Sequence, residues 1–135
     1  SSDLLQNLSQ FSKHILANSL DELLRDTNRK TSLTKKLISE IEKLQNSENS
    51  TFKNLDRLLN KTLKHIKEID SLKSKIAYEK VYGLSKNMFK KGYFLNSITL
   101  LSEAMGMYCA EGLKLLSPTI KEKIDFYEKN ATTQK

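Results

Sequence analysis

Residues 90–105, KKGYFLNSITLLSEAM, hold a helix stop, a restart and a broad apolar stripe within sixteen residues. Gly92 can adopt the left-handed backbone that closes a helix after Met88 and Phe89. Beyond it, Phe94, Ile98, Leu101, Met105 and Tyr108 recur at alternating spacings of four and three, the period of one helix face. The stretch reads as a helical hairpin with Gly92, Phe94, Ile98, Leu101, Ala104 and Met105 as its packing motif. On this reading Leu101 lies in the core, and Leu101→Asp unfolds the domain by placing an uncompensated charge there.

The same period extends outward in both directions. Toward the N-terminus, Asp3 is placed to cap a helix carrying Leu4, Leu8, Phe11, Ile15, Leu20, Leu23 and Leu24, ending near residues 26–30. Ser32 caps a second helix through Leu33, Leu37, Ile38, Ile41 and Leu44, followed by a polar loop at residues 46–50. A long third pattern starts at Thr51 and runs through Phe52, Leu55, Leu59, Ile66, Ile69, Ile76, Val81, Leu84 and Met88, with a kink or new cap at Asp70 or Ser71. After the stripe, Ser117 and Pro118 supply a capping hydroxyl and a first-turn proline for a last helix through Ile120, Ile124, Phe126 and Tyr127, with a frayed tail at residues 130–135. The expectation is an all-α bundle of about five helices, read as a single helical domain over residues 1–135 that is a piece of a larger protein.

Composition agrees with that class. The chain has 135 residues, no Trp, four Gly and one Pro, too little turn punctuation for an all-β fold of this length. Its net charge is +7 from 23 basic and 16 acidic residues, a balance that favours encounters with nucleic acid or an acidic surface. The charge is concentrated in residues 26–80, where 13 basic side chains face 8 acidic ones. Glu40 and Lys43 sit at helical spacing, with Lys36 and Glu42 interleaved along the same helix, which is how a solvated helix face reads. The nucleic-acid alternative draws on Lys35, Lys36, Arg57, Lys61, Lys64, Lys90 and Lys91, with aromatic residues such as Tyr78, Tyr82, Phe89 and Tyr93 near the last two. The longest apolar segment, residues 93–110, is interrupted by Asn96, Ser97, Ser102 and Glu103 and is short for a bilayer span. A soluble, cytoplasmic chain without a membrane partner is expected.

Catalytic and metal chemistry find little footing. There is no glycine-rich phosphate loop, zinc-ligand spacing or nucleophile elbow. His14, His65 and the lone Cys109 fall on three different helices, and Cys109 reads as a small hydrophobe within an apolar helix. Glu103 stands in the most apolar helix without a second carboxylate beside it. No cofactor or metal is expected. Gly106 and Gly112 each weaken a helix interior by roughly 1 kcal/mol against Ala, so a packing gain should offset them.

Two resemblances follow from these residues. Leu84 to Phe89, Gly92, Phe94, Ile98 and Ala104 resemble a single tetratricopeptide hairpin, with Ser97 where that repeat prefers Ala. Residues 78–116, around FKKGYFLNSITLLSEAM, are similar to the helical region of the CRISPR-associated CARF and HEPN ribonucleases of type III systems. That resemblance implies antiviral defence, in which cyclic oligoadenylate bound by a sensor domain switches on RNA cleavage by paired HEPN domains. The chain departs from the family at both ends of that mechanism. It has no alternation of strands and helices for a sensor sheet. The nearest approach to the HEPN signature of Arg, four to six residues, then His is Arg57 to His65, with seven residues between. The resemblance thus implies a helical structural or interaction domain that supports dimerisation or relays between sensor and ribonuclease, with a homo-oligomer or the parent's other domains as partners. A stand-alone module binding RNA or a partner protein through residues 29–80 is the alternative.

Overall fold

The structure is a computed structural model describing residues 2–47 and 54–133. Those residues form seven α-helices and no β-strand: α1 Ser2–Leu16, α2 Leu20–Leu24, α3 Leu33–Gln45, α4 Asp56–Asp70, α5 Ala77–Lys90, α6 Phe94–Leu116 and α7 Pro118–Thr133. The count exceeds five because two patterns that look continuous in sequence are each broken once. The first break is at Asn18, whose φ of 54° is left-handed. The amide of Ser19 donates to the His14 carbonyl and that of Asn18 to the Ile15 carbonyl, the paired closure that ends a helix. The second break is the 3-10 turn Ser71–Ser74, after which Lys75 and Ile76 are extended and α5 restarts. It lies where Asp70 and Ser71 suggested a kink.

Gly92 makes the same closure at the end of α5. Its φ is +84°, its amide donates to Phe89, and the amide of Tyr93 donates to Met88. The chain therefore reverses, and α5 and α6 form the most extensively packed helix pair. Ser85 and Ser97 are both buried at their contact. The Ser85 hydroxyl donates to the Ser97 carbonyl at 2.7 Å and the Ser97 hydroxyl to the Ser85 carbonyl at 2.8 Å. Small side chains let the backbones approach, and each hydroxyl satisfies the carbonyl it exposes.

The core is built from Phe11, Ile15, Leu23, Leu24, Leu37, Ile41, Leu63, Ile66, Ile69, Val81, Leu84, Met88, Leu100 and Ala104. Polar ties lock its helices together. Buried Thr34 donates to Asp70 Oδ1 at 2.7 Å, joining α3 to α4, and Asn96 reaches back from α6 to the Leu16 carbonyl at 3.0 Å. Ser32 accepts from the Lys35 amide as the cap of α3. Asp3, expected as a cap, lies in the first turn of α1. Glu42 pairs across helices with Lys67 at 2.7 Å. Residues 130–133 continue α7 as helix where a frayed tail was expected. Most of the polar loop and Phe52 lie outside the described residues.

Candidate interaction surface

α6 has two apolar faces, and the one it buries is the narrower. Ser97, Leu100 and Ala104 face the core, with Met107 partly buried beside them. The broader stripe points outward: Phe94 is 56% exposed, Ile98 65%, Leu101 39%, Met105 60% and Tyr108 62%. Of the expected packing motif, Gly92 sets the turn and Ala104 is core, whereas Phe94, Ile98, Leu101 and Met105 are surface residues. The reason lies in the α5 contact. Ser85 requires a small residue opposite it, and Ser97 and Ala104 are the positions on α6 that let α5 come close. Apolar volume alone pointed to the outer face, about a quarter-turn away. Cys109, expected as a small interior hydrophobe, is exposed on the same outer side.

The stripe continues toward the helix end through Gly112 and Leu115, the latter 89% exposed. There it enters a cleft of about 990 Å³ between the start of α5, the second half of α6 and α7. Ile76, Tyr78, Tyr108, Gly112 and Leu115 form its apolar wall, and Glu103, Glu111 and Glu128 line it as well. Tyr78 and Tyr108 meet edge to face, with ring centroids 5.3 Å apart. The cleft exists because α6 outruns α5, leaving its last turns to pack on α7 alone. Lys114 fixes that pairing, with carboxylate contacts at 2.9 Å to Glu128, 3.1 Å to Asp125 and 3.2 Å to Glu111. Hydrogen bonds that the ammonium donates to Glu128 and Asp125 above all raise its pKa.

The basic residues divide into separate groups. Arg57, Lys61 and Lys64 follow one exposed row of α4 at spacings of four and three. Lys91 lies near that helix, since its charge helps lower the pKa of His65. Lys35 and Lys36 start α3, which runs antiparallel to α4, so they lie at the far end of that pair. Lys35 is paired with Asp26 at 3.4 Å. Arg57 and His65 do not converge. The His65 ring packs edge-on against Phe11, and its buried Nδ1 has no hydrogen-bond partner among the described residues.

Among the described residues no group of His, Cys, Asp and Glu could hold a metal ion, and no helix is long and apolar enough to cross a membrane. No protein-family model, curated protein or solved structure was found to match the chain.

Proposed function

We propose that this chain is a helical interaction domain that docks a protein surface on the outer face of α6. One observation carries the reading: seven positions, Phe94, Ile98, Leu101, Met105, Tyr108, Gly112 and Leu115, repeat at spacings of four and three over the whole helix and face solvent. That is the heptad seam by which a helix receives another helix, and a contiguous apolar patch of this kind marks an interaction site. The total surface supports it. A compact monomer of 15.5 kDa exposes about 7,200 Å², whereas this chain exposes 10036 Å². The resemblance to CARF and HEPN ribonucleases sets this role in antiviral defence, as a part that supports dimerisation or relays between sensor and nuclease. The hairpin around Gly92 is the feature it would share with tetratricopeptide repeats. A photoreactive phenylalanine analogue placed at Ile98 in the native cell tests the docking. A protein adduct at Ile98, absent from the same probe at Lys36, supports it; no adduct at Ile98 defeats it.

A second reading rests on the Arg57, Lys61 and Lys64 row, for which no carboxylate partner occurs among the described residues. If the row binds single-stranded RNA, affinity falls steeply with salt and Lys61→Ala lowers the salt slope by about one. Absent binding at low salt removes the reading.

A further inference from the structure

We infer that the occupant of the α6 seam is a second copy of this chain, paired antiparallel about a two-fold axis near residue 103. The inference rests on the interaction-domain reading and adds the partner and its geometry.

Volume argues for the self-pairing. The first half of the seam is bulky, with Phe94, Ile98 and Leu101, whereas the second half contains Gly112, where an added Cβ would meet nothing within 4 Å. Among the described residues Gly112 therefore has no close neighbour to justify a glycine in a helix interior. An antiparallel seam brings the two kinds of heptad position opposite each other. Phe94 of one copy then meets Gly112 of the other, Ile98 meets Tyr108, and Leu101 meets Met105. Parallel pairing instead puts Gly112 on Gly112, leaving a hole, and Phe94 on Phe94, crowding the other end.

The cleft gives the same answer. Gly112, Tyr78, Tyr108 and Leu115 form the apolar wall of a recess at one end of the seam, which Glu103, Glu111 and Glu128 also line, and Phe94 is the exposed ring at the other. The two lie 18 residues apart on one helix, about 27 Å along the axis, so no chain can fill its own recess. Two copies fill both recesses at once, as a closed two-fold interface requires.

Charge and area permit the pairing. The chain carries +7, so two copies repel unless they meet on an uncharged face. All seven seam residues are uncharged, as are Leu95, Ser102, Cys109 and Leu116 along one flank; on the other flank the Glu111 carboxylate is paired with Lys114 at 3.2 Å. The chain as a whole exposes about 2,800 Å² more than a compact monomer of its mass, a surplus that includes the seam together with α7.

Sedimentation equilibrium of the 135-residue chain from about 1 to 200 µM is expected to reach twice the 15.5 kDa chain mass. Met105→Glu should remain monomeric over that range with an unchanged helical circular dichroism spectrum. In a Cys109→Ser background, oxidation of the double variant Phe94→Cys, Gly112→Cys should give a covalent dimer. Each cysteine alone should give none, because like positions lie far beyond disulfide reach in this pairing. Monomeric wild-type chain at every concentration, or a dimer crosslinked by either cysteine alone, overturns the inference. An Ile98 photoadduct with a different protein alongside a monomeric chain would overturn the second copy and leave the interaction domain standing.

Discussion

The imidazole of His65 stands against the ring of Phe11 with centroids 5.7 Å apart and planes at 86°, and its buried Nδ1 finds no acceptor or donor among the described residues. Burial, and after it the charge of Lys91, holds its pKa below the ordinary 6.5, with Glu68 opposing them. The folded protein thus resists a proton that the unfolded chain accepts. Stability from this group is present above pH 6.5 and is lost as pH falls below it. His65→Phe keeps the ring contact and removes the titration, so its urea midpoint should decline less than the wild type's between pH 7 and pH 5. Gly92 gives a backbone counterpart. Its φ of +84° is left-handed, yet a Cβ there would meet nothing within 4 Å. Gly92→Ala should therefore destabilise by about 1–2 kcal/mol through the backbone alone, measurable by urea unfolding.

The α5–α6 hairpin divides what was legible in the sequence from what was not. The Gly92 turn, the Ser32 cap and the Ser117–Pro118 start were readable because their chemistry is local. The end of α1 was not, because Asn18 performs a closure more often given to glycine. The orientation of α6 was hidden for a different reason. Periodicity reveals that a helix has an apolar face, but α6 has two, and which one turns inward depends on α5. The meeting of Ser85 with Ser97, twelve residues apart and reciprocally hydrogen-bonded, decides it. This reverses the expected result for Leu101→Asp. Leu101 is on the outer face, so the variant should keep its circular dichroism spectrum and a cooperative melt as a monomer. Leu84→Ala, on the fully buried side of α5, should instead cost about 2–5 kcal/mol.

Across the whole molecule, burial stops partway along α6. No described residue after Ala104 is buried, so the second half of α6 and α7 form an arm fastened to the rest through α6. Its outer apolar residues, Tyr108, Leu115, Leu116, Phe126 and Tyr127 among them, remain in water. An arm of this kind contributes little to the folding of the core but a great deal to the available docking surface. Its internal order draws on a charged contact, since Lys114 gathers Glu111, Asp125 and Glu128, and ion pairs whose carboxylates are half-exposed are weakened by salt. Lys114→Met should accelerate amide exchange throughout α7 while leaving exchange in α3, α4 and α5 unchanged. Added salt should move the wild type toward the variant. The core should not respond, because its helices meet through buried Leu and Ile side chains and through the Thr34 to Asp70 hydrogen bond. If α3 to α5 lost protection together with α7, the arm would belong to the same cooperative unit as the core.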